Sequence, residues 1–276
     1  MDGHRSIIIA VFSTSSGCGK TVTAINLAAG LAKEGYRVCL ADLDLQFGDV
    51  MGYLDMVSDL TLADAQRALL ERPDSFRVED YLAEYNRGGI AFSVLPPPRA
   101  INEAYQVRVE AVEEILRQLG DFNFIVLDLT AIFSALNLAM LDMSTIINYI
   151  GVVNFLPAVK NYKLGYDTLR RFEYEESKIC LVENRAEEDS FIPLGEVERL
   201  LGEKFLHHLP EDREAVERSI HMGRPLLMSA PLSPLTQSYW HLVGRYTGHG
   251  KSKEKASQEK AGHRRLAASW LAGLRM

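Results

Sequence analysis

The chain has 276 residues, 47% of them hydrophobic and 24% charged, as expected of a globular α/β protein with a sizeable core. No apolar run reaches the roughly 18 residues needed to span a bilayer, and three widely spaced cysteines (Cys18, Cys39, Cys180) form neither a zinc pattern nor a disulfide framework. The net charge of −7 is uneven: residues 251–276 hold seven Lys/Arg against two acidic residues, a local +5 that leaves −12 for the rest, which argues against a broad nucleic-acid-binding body.

Residues 1–6 contain Asp2 and a single Arg ahead of a short apolar run, so a chain without a signal peptide, in a reducing cytoplasm, is expected. Length alone would allow two domains. Strands and helices alternate without a linker to about residue 247, however, which predicts one domain over 1–247 and a basic tail over 248–276.

The run Ile7-Ile8-Ile9-Ala10-Val11-Phe12 predicts a buried strand. It leads into Ser13-Thr14-Ser15-Ser16-Gly17-Cys18-Gly19-Lys20-Thr21. A helix over 21–33 follows, with Val22, Ile25, Ala28, Ala29 and Ala32 on one face and Gly35 as a stop signal. A strand that ends in a small-residue loop and enters a helix leaves N–H groups facing outward. With the helix dipole they form a seat for phosphate oxygens. Lys20 reaches the outer phosphates as a point charge, and the Thr21 hydroxyl suits a bridging Mg²⁺. The usual pattern has Gly where Thr14 stands, and a Ser-rich turn is the plain alternative. Cys18 is better explained as a loop filler whose backbone N–H matters than as a nucleophile.

A second strand over 36–41 ends in Asp42-Leu43-Asp44-Leu45-Gln46-Phe47-Gly48-Asp49. Ligands bind beyond the C-terminal ends of open parallel sheets, so Asp42 and Asp44 are expected to face the phosphate loop. A helix cap or solvated turn is the alternative, and it weighs more for Asp49. Residues 60–70 read as a helix and 73–86 as a polar helical excursion ending at Gly88-Gly89. A third strand over 90–95 runs into Pro96-Pro97-Pro98, and an amphipathic helix covers 103–119. The apolar strand 121–128 is capped by Asp128, in the shape of a Walker B segment whose Asp holds the Mg²⁺ shell.

A helix over 135–141, a strand over 145–153 and a helix over 157–172 come next. The strand 178–182 ends at Glu183-Asn184-Arg185. Asn184 and Arg185 can hydrogen-bond and stack on a purine base, or form a plain turn. A helix over 194–201, a strand over 205–209, the turn Pro210-Glu211-Asp212, a helix to His221 and a helix over 234–246 complete the domain. Adjacent strand residues point to opposite faces, so His207 and His208 are expected to be structural rather than co-ligands of one ion. The expected fold is α/β, a mostly parallel central sheet of about seven strands with helices on both faces.

The order of these segments, from the phosphate loop through Asp42-Leu43-Asp44, Leu127-Asp128 and Asn184-Arg185 to Pro210-Glu211-Asp212, resembles the MinD/ParA class of P-loop ATPases. Several stretches look similar to one branch, the CpaE/TadZ proteins of Flp (Tad) pilus assembly. They are Leu43-Asp44-Leu45-Gln46-Phe47-Gly48-Asp49-Val50, Leu95-Pro96-Pro97-Pro98-Arg99, Asn184-Arg185-Ala186, Gly223-Arg224-Pro225-Leu226 and residues 229–235. The resemblance spans roughly residues 6–246. It implies ATP or ADP with Mg²⁺ as cofactors. Gly17, Cys18, Gly19, Lys20 and Thr21 would cradle phosphates, with Val22 beside the nucleotide, and Asn184, Arg185, Pro210 and Glu211 would hold adenine. Thr21, Asp42 and Asp128 would form or support the metal shell. Lys20 and Asp44 would be catalytic, Asp44 positioning the attacking water.

Members of the class form ATP-dependent sandwich homodimers in which a signature lysine early in the loop reaches the partner's phosphates. Here that position is Ser15, flanked by Thr14 and Ser16 in place of glycines. Loss of a cation aimed at transition-state charge costs orders of magnitude in rate, while binding suffers less. Nucleotide binding with slow or absent hydrolysis is therefore expected, with dimerisation that does not depend on ATP. The implied partners are a second copy and pilus-assembly or polar proteins.

Residues 248–262 read as a solvated linker. Residues 263–276 place Leu266, Trp270 and Leu274 with basic residues at helical spacing, the profile of an amphipathic anchor for a membrane surface; a frayed helix or a disordered end remains open. The location implied is cytoplasmic, peripheral at the membrane or a cell pole. Competing readings are a ParA-type DNA-associated partitioning ATPase, a MinD-like division or flagellar positioning ATPase, and a nucleotide-dependent metabolic ligase of the same fold.

Overall fold

A computed structural model describes residues 6–187 and 190–248. Contacts divide the chain into a unit ending at Tyr239 and a second beginning at Trp240, of which residues 240–248 are described. The basic tail and the candidate anchor over 263–276 lie outside the described residues.

The first unit opens with β1 (Ile7–Phe12), whose last four residues are buried. Parallel neighbours flank β1 on both sides, which is why its sequence is continuously apolar rather than alternating. After α1 (Lys20–Lys33) come β2 (Val38–Asp42), the short α2 (Val50–Tyr53) and α3 (Leu62–Glu71), which starts with a reciprocal Thr61/Asp64 capping box. The hairpin β3 (Ala83–Arg87) and β4 (Ile90–Leu95) leads through α4 (Ile101–Ala104) and α5 (Val109–Arg117) to β5 (Phe124–Asp128). Next are α6 (Ala135–Met143), β6 (Ile146–Gly151), α7 (Leu156–Arg171), β7 (Ile179–Ala186), α8 (Leu194–Leu201) and β8 (His207–Pro210). The last helices are α9 (Arg213–His221), α10 (Leu226–Ser229) and α11 (Pro234–Thr247).

The strands form one sheet in the order β3-β4-β2-β5-β1-β6-β7-β8, parallel throughout apart from the β3–β4 hairpin. α1 lies across β1, β2, β4 and β5 on one face, where its Ala24, Ala28, Ala29 and Gly30 allow close approach. On the other face Phe12, Ala41, Leu127 and Tyr149 pack with Leu62, Val112, Ile115, Met140, Val159 and Val197 of α3, α5, α6, α7 and α8. Helices therefore cover both faces, as expected.

Among the described residues the sheet has eight strands, against about seven expected, the additional one being β3. Residues 73–86 form two short 3₁₀ turns, at Pro73–Ser75 and Val78–Tyr81, and then most of β3 rather than a helix. The reason is a period of two. Tyr85 is buried and stacks on Phe92 at 4.9 Å, while Glu84 and Asn86 face outward. Gly88 and Gly89, both left-handed at φ 57° and 74°, make the two-residue hairpin turn that joins β3 to β4.

The expected helix over 103–119 is broken. The side chain of Gln66 on α3 donates to the Gln106 carbonyl at 2.9 Å and accepts the Arg108 N–H at 2.6 Å, so tertiary bonds replace helical ones there. His207 and His208 do part to opposite faces. His207 is buried with its ring 2.9 Å from the Ser238 carbonyl, and His208 is exposed beside Glu183 at 2.6 Å.

Replacing Gln66 with Met should leave the Arg108 N–H and Gln106 carbonyl without partners and cost about 1–3 kcal/mol in urea unfolding. Nucleotide affinity should not change, because α3 takes no part in the site described next.

Candidate functional site

β1 delivers the loop 13–19 to the C-terminal edge of the sheet, where Ser13 is buried and its hydroxyl accepts the Ser15 N–H at 3.1 Å. Gly17 and Gly19 are left-handed, at φ 68° and 90°, a backbone that favours glycine and aims successive N–H groups at one point. Thr14 is tied down: its hydroxyl donates to the Asn161 carbonyl at 3.0 Å and lies 2.7 Å from the Tyr149 hydroxyl. Tyr149 in turn stacks on Tyr162 of α7 at 4.4 Å. This contact requires Gly165, since a Cβ there would collide with the Tyr149 hydroxyl and lie 2.5 Å from the Thr14 methyl.

Asp42 and Asp128 end adjacent parallel strands in direct register, and both are buried. Asp42 accepts the Asp44 N–H at 3.2 Å and the Val50 N–H at 3.1 Å, which folds the loop 43–49 back over the strand end. Gly48 permits that fold, because a Cβ would lie 2.5 Å from the Asp42 carboxylate and 2.7 Å from Pro97. Burial and the neighbouring Asp128 push Asp42 well above the usual carboxylate range. Burial also pushes Asp128 up to about 7, against the pull of the Thr21 hydroxyl and the Lys20 charge. Asp44 is half-buried and accepts the Phe47 N–H at 3.2 Å; Asp49 is exposed.

Asp128 Oδ1 is buried without a hydrogen-bond partner. An orphaned carboxylate oxygen beside a threonine hydroxyl is a donor set that fits a hard divalent cation. Among the described residues no three His, Cys, Asp or Glu side chains close on one point. Mg²⁺ does not need such a cage, because it keeps several waters and takes one or two carboxylates together with phosphate oxygens.

The opposite wall comes from β7. A bulge between Asn184 and Ala186 interrupts the pairing with β8, and Arg185 is left-handed at φ 54°. The Asn184 amide donates to the Cys18 carbonyl at 2.7 Å, and a Cβ on Gly19 would collide with that amide. Arg185 donates to the Gly17 carbonyl at 3.1 Å and lies 3.7 Å from Glu211. The turn Pro210-Glu211-Asp212 follows β8, and Asp212 caps α9 by accepting the Ala215 N–H at 3.0 Å.

Two compartments meet here. One, of about 430 Å³, is bounded by Val22, Asn184, Pro210, Glu211, Leu235 and Tyr239. The other, of about 810 Å³, is bounded by Lys20, Thr21, Asp44, Phe47, Tyr105 and Ile132. Gly19, Val22, Arg185 and Val216 line both. The residues singled out from the sequence thus converge on one cleft, with Asp42, Asp128 and Cys18 buried behind its surface. Val216, Leu235 and Tyr239 were not foreseen. Their only local signal is helical periodicity, and the Tyr239 hydroxyl meets Thr23, at 3.0 Å, across most of the chain length.

The family model of the CobQ/CobB/MinD/ParA nucleotide binding domain matches residues 9–226. The septum site-determining protein MinD of Synechocystis is 26% identical over 249 residues, covering 87% of this chain and 89% of that protein. Among solved structures, a ParA family ATPase from Chlorobium tepidum is similar with a TM-score of 0.78 at 22% identity, covering 86% of this chain and 98% of the other. MinD complexed with Mg-ADP from Pyrococcus horikoshii gives a TM-score of 0.74 at 20% identity, with 87% and 96% covered.

Asn184→Ala removes the amide that holds the Cys18 carbonyl. It should lower stability by about 1–3 kcal/mol in urea unfolding and weaken ADP binding about tenfold by calorimetric titration.

Proposed function

The chain belongs to the CobQ/CobB/MinD/ParA nucleotide-binding domain family, and from that premise we propose that it binds ATP or ADP with Mg²⁺ and acts as a positioning or scaffold factor in Flp/Tad pilus assembly, with weak or absent hydrolysis. The observation that carries the nucleotide part is the single cleft lined by Lys20, Thr21 and Asp44 on one side, with Asp128 buried behind them, and by Asn184, Arg185, Pro210 and Glu211 on the other. The loop amides and Lys20 hold the phosphates, and the apolar walls Val22, Val216 and Leu235 receive the base. Thr21 and Asp128 hold Mg²⁺, which neutralises phosphate charge when bound, while Asp42 props the loop that carries Asp44. Asp44 orients the attacking water.

Slow turnover is supported by the loop itself. Lys20 is the only cation between residues 13 and 21, and Thr14 is pinned against α7, so position 15 presents a serine where relatives act across a dimer. Phe47, Tyr105 and Ile132 are 69%, 75% and 61% exposed at the mouth of the cleft, an apolar rim suited to a second copy. The pilus assignment rests on the sequence stretches named above. A MinD-like positioning role is the second reading, favoured by the likeness to the Synechocystis protein. A DNA-partitioning role fits less well with a body of charge −12.

Titration with ATP and Mg²⁺, followed by mass measurement in solution, should show nucleotide binding that is lost in Lys20→Ala, and dimers whether or not nucleotide is present. Turnover equal to that of ordinary relatives, abolished by Lys20→Ala, would overturn the slow-hydrolysis part. Co-sedimentation with anionic liposomes should be stronger for the full chain than for one ending at Tyr246; equal binding rejects an anchor over 263–276.

A further inference from the structure

Arg185 occupies a conformation that a residue with a Cβ rarely adopts, and the bulge on β7 turns it out of the strand register. Bulges of this kind re-aim side chains beside functional sites. Here the guanidinium is carried over the phosphate loop, where Nη2 meets the Gly17 carbonyl at 3.1 Å. Its Nε is 3.7 Å from Glu211, an ion pair too long to be a hydrogen bond. One hydrogen bond leaves most of the five-donor fork unused among the described residues, and the side chain is 50% exposed in the cleft.

Position and charge both matter. Arg185 lines the compartment of Lys20 and Thr21 as well as that of Pro210 and Glu211, so it stands where a base compartment passes into a phosphate compartment. The far wall of the phosphate compartment is acidic, with Asp44 and Asp49, and the loop supplies only Lys20 against it. A planar guanidinium matches pairs of phosphate oxygens, whereas a base-stacking role would not require it at the loop carbonyl.

Resting on the nucleotide-binding reading, we propose that Arg185 is a phosphate-contacting residue, a second cation supplied within the same chain. It makes affinity depend on the length of the phosphate chain rather than on the base.

Calorimetric titration of the full chain, in Mg²⁺, with adenosine, AMP, ADP and ATP tests this. Arg185→Met should weaken ATP and ADP about tenfold, leave adenosine within about twofold, and lower the urea midpoint of the ligand-free protein by less than Asn184→Ala does, since only the half-exposed bond to the Gly17 carbonyl is lost. Arg185→Lys should recover part of the loss. Should the Met variant not fold, Arg185→Gly suits the left-handed backbone and removes the same side chain. Equal weakening of all four ligands would assign Arg185 to the base, and weakening of ATP and ADP with a drop in urea midpoint as large as that of Asn184→Ala would assign it to loop support; either would overturn the proposal, as would no weakening at all. A wild-type protein that binds none of the four would overturn the nucleotide reading itself, a result distinct from either.

Discussion

Two carboxylates held side by side out of water are the constraint on which this site depends. Asp42 and Asp128 end neighbouring strands in register, and a sheet with helices on both faces gives neither of them solvent. Like charges so placed cannot both ionise cheaply, and the surroundings answer each differently. Asp42 receives two backbone N–H groups and becomes the peg on which the loop 43–49 hangs. Asp128 keeps one oxygen unpartnered and faces the first turn of α1, where Lys20 and Thr21 stand. The acidic edge is thereby divided into a half engaged by backbone N–H groups and a half with one carboxylate oxygen left open among the described residues.

The loop 13–19 is held from both flanks. On one flank Thr14 joins Tyr149 and the Asn161 carbonyl, with Gly165 making room; on the other Asn184 and Arg185 take the carbonyls of Cys18 and Gly17. Carbonyls turned outward onto these partners leave the loop ordered from both sides. The clamp at Thr14 also fixes the stretch of loop that carries Ser15.

Both helix-sheet layers meet at this edge for a topological reason. β1 is central, with β2 to β5 on one side and β6 to β8 on the other, so the loop after β1 faces strand ends from both halves. Acidic residues arrive from β2 and β5, and the smaller compartment is lined from β7, β8 and α9. Because the two halves are separate stretches of chain, residues such as Asp44 and Arg185, far apart in sequence, come to share one cleft.

By itself the sequence determined the buried parallel strands, because strands covered on both faces must be apolar at nearly every position, and it determined the loop, because small residues and glycines after such a strand turn the chain into the following helix. It also located Asp42 and Asp128 at strand ends. The third dimension decided what depends on distant partners. β3 follows from Tyr85 packing on Phe92, the break near Gln106 from the side chain of Gln66, and the walls Val216, Leu235 and Tyr239 from helices that close over the sheet. Asn184 and Arg185 were legible as polar residues at a strand end, but their attachment to the loop was not. Hydrogen bonds across 166 and 168 residues of chain leave no local periodicity, and only the folded backbone brings their atoms within reach.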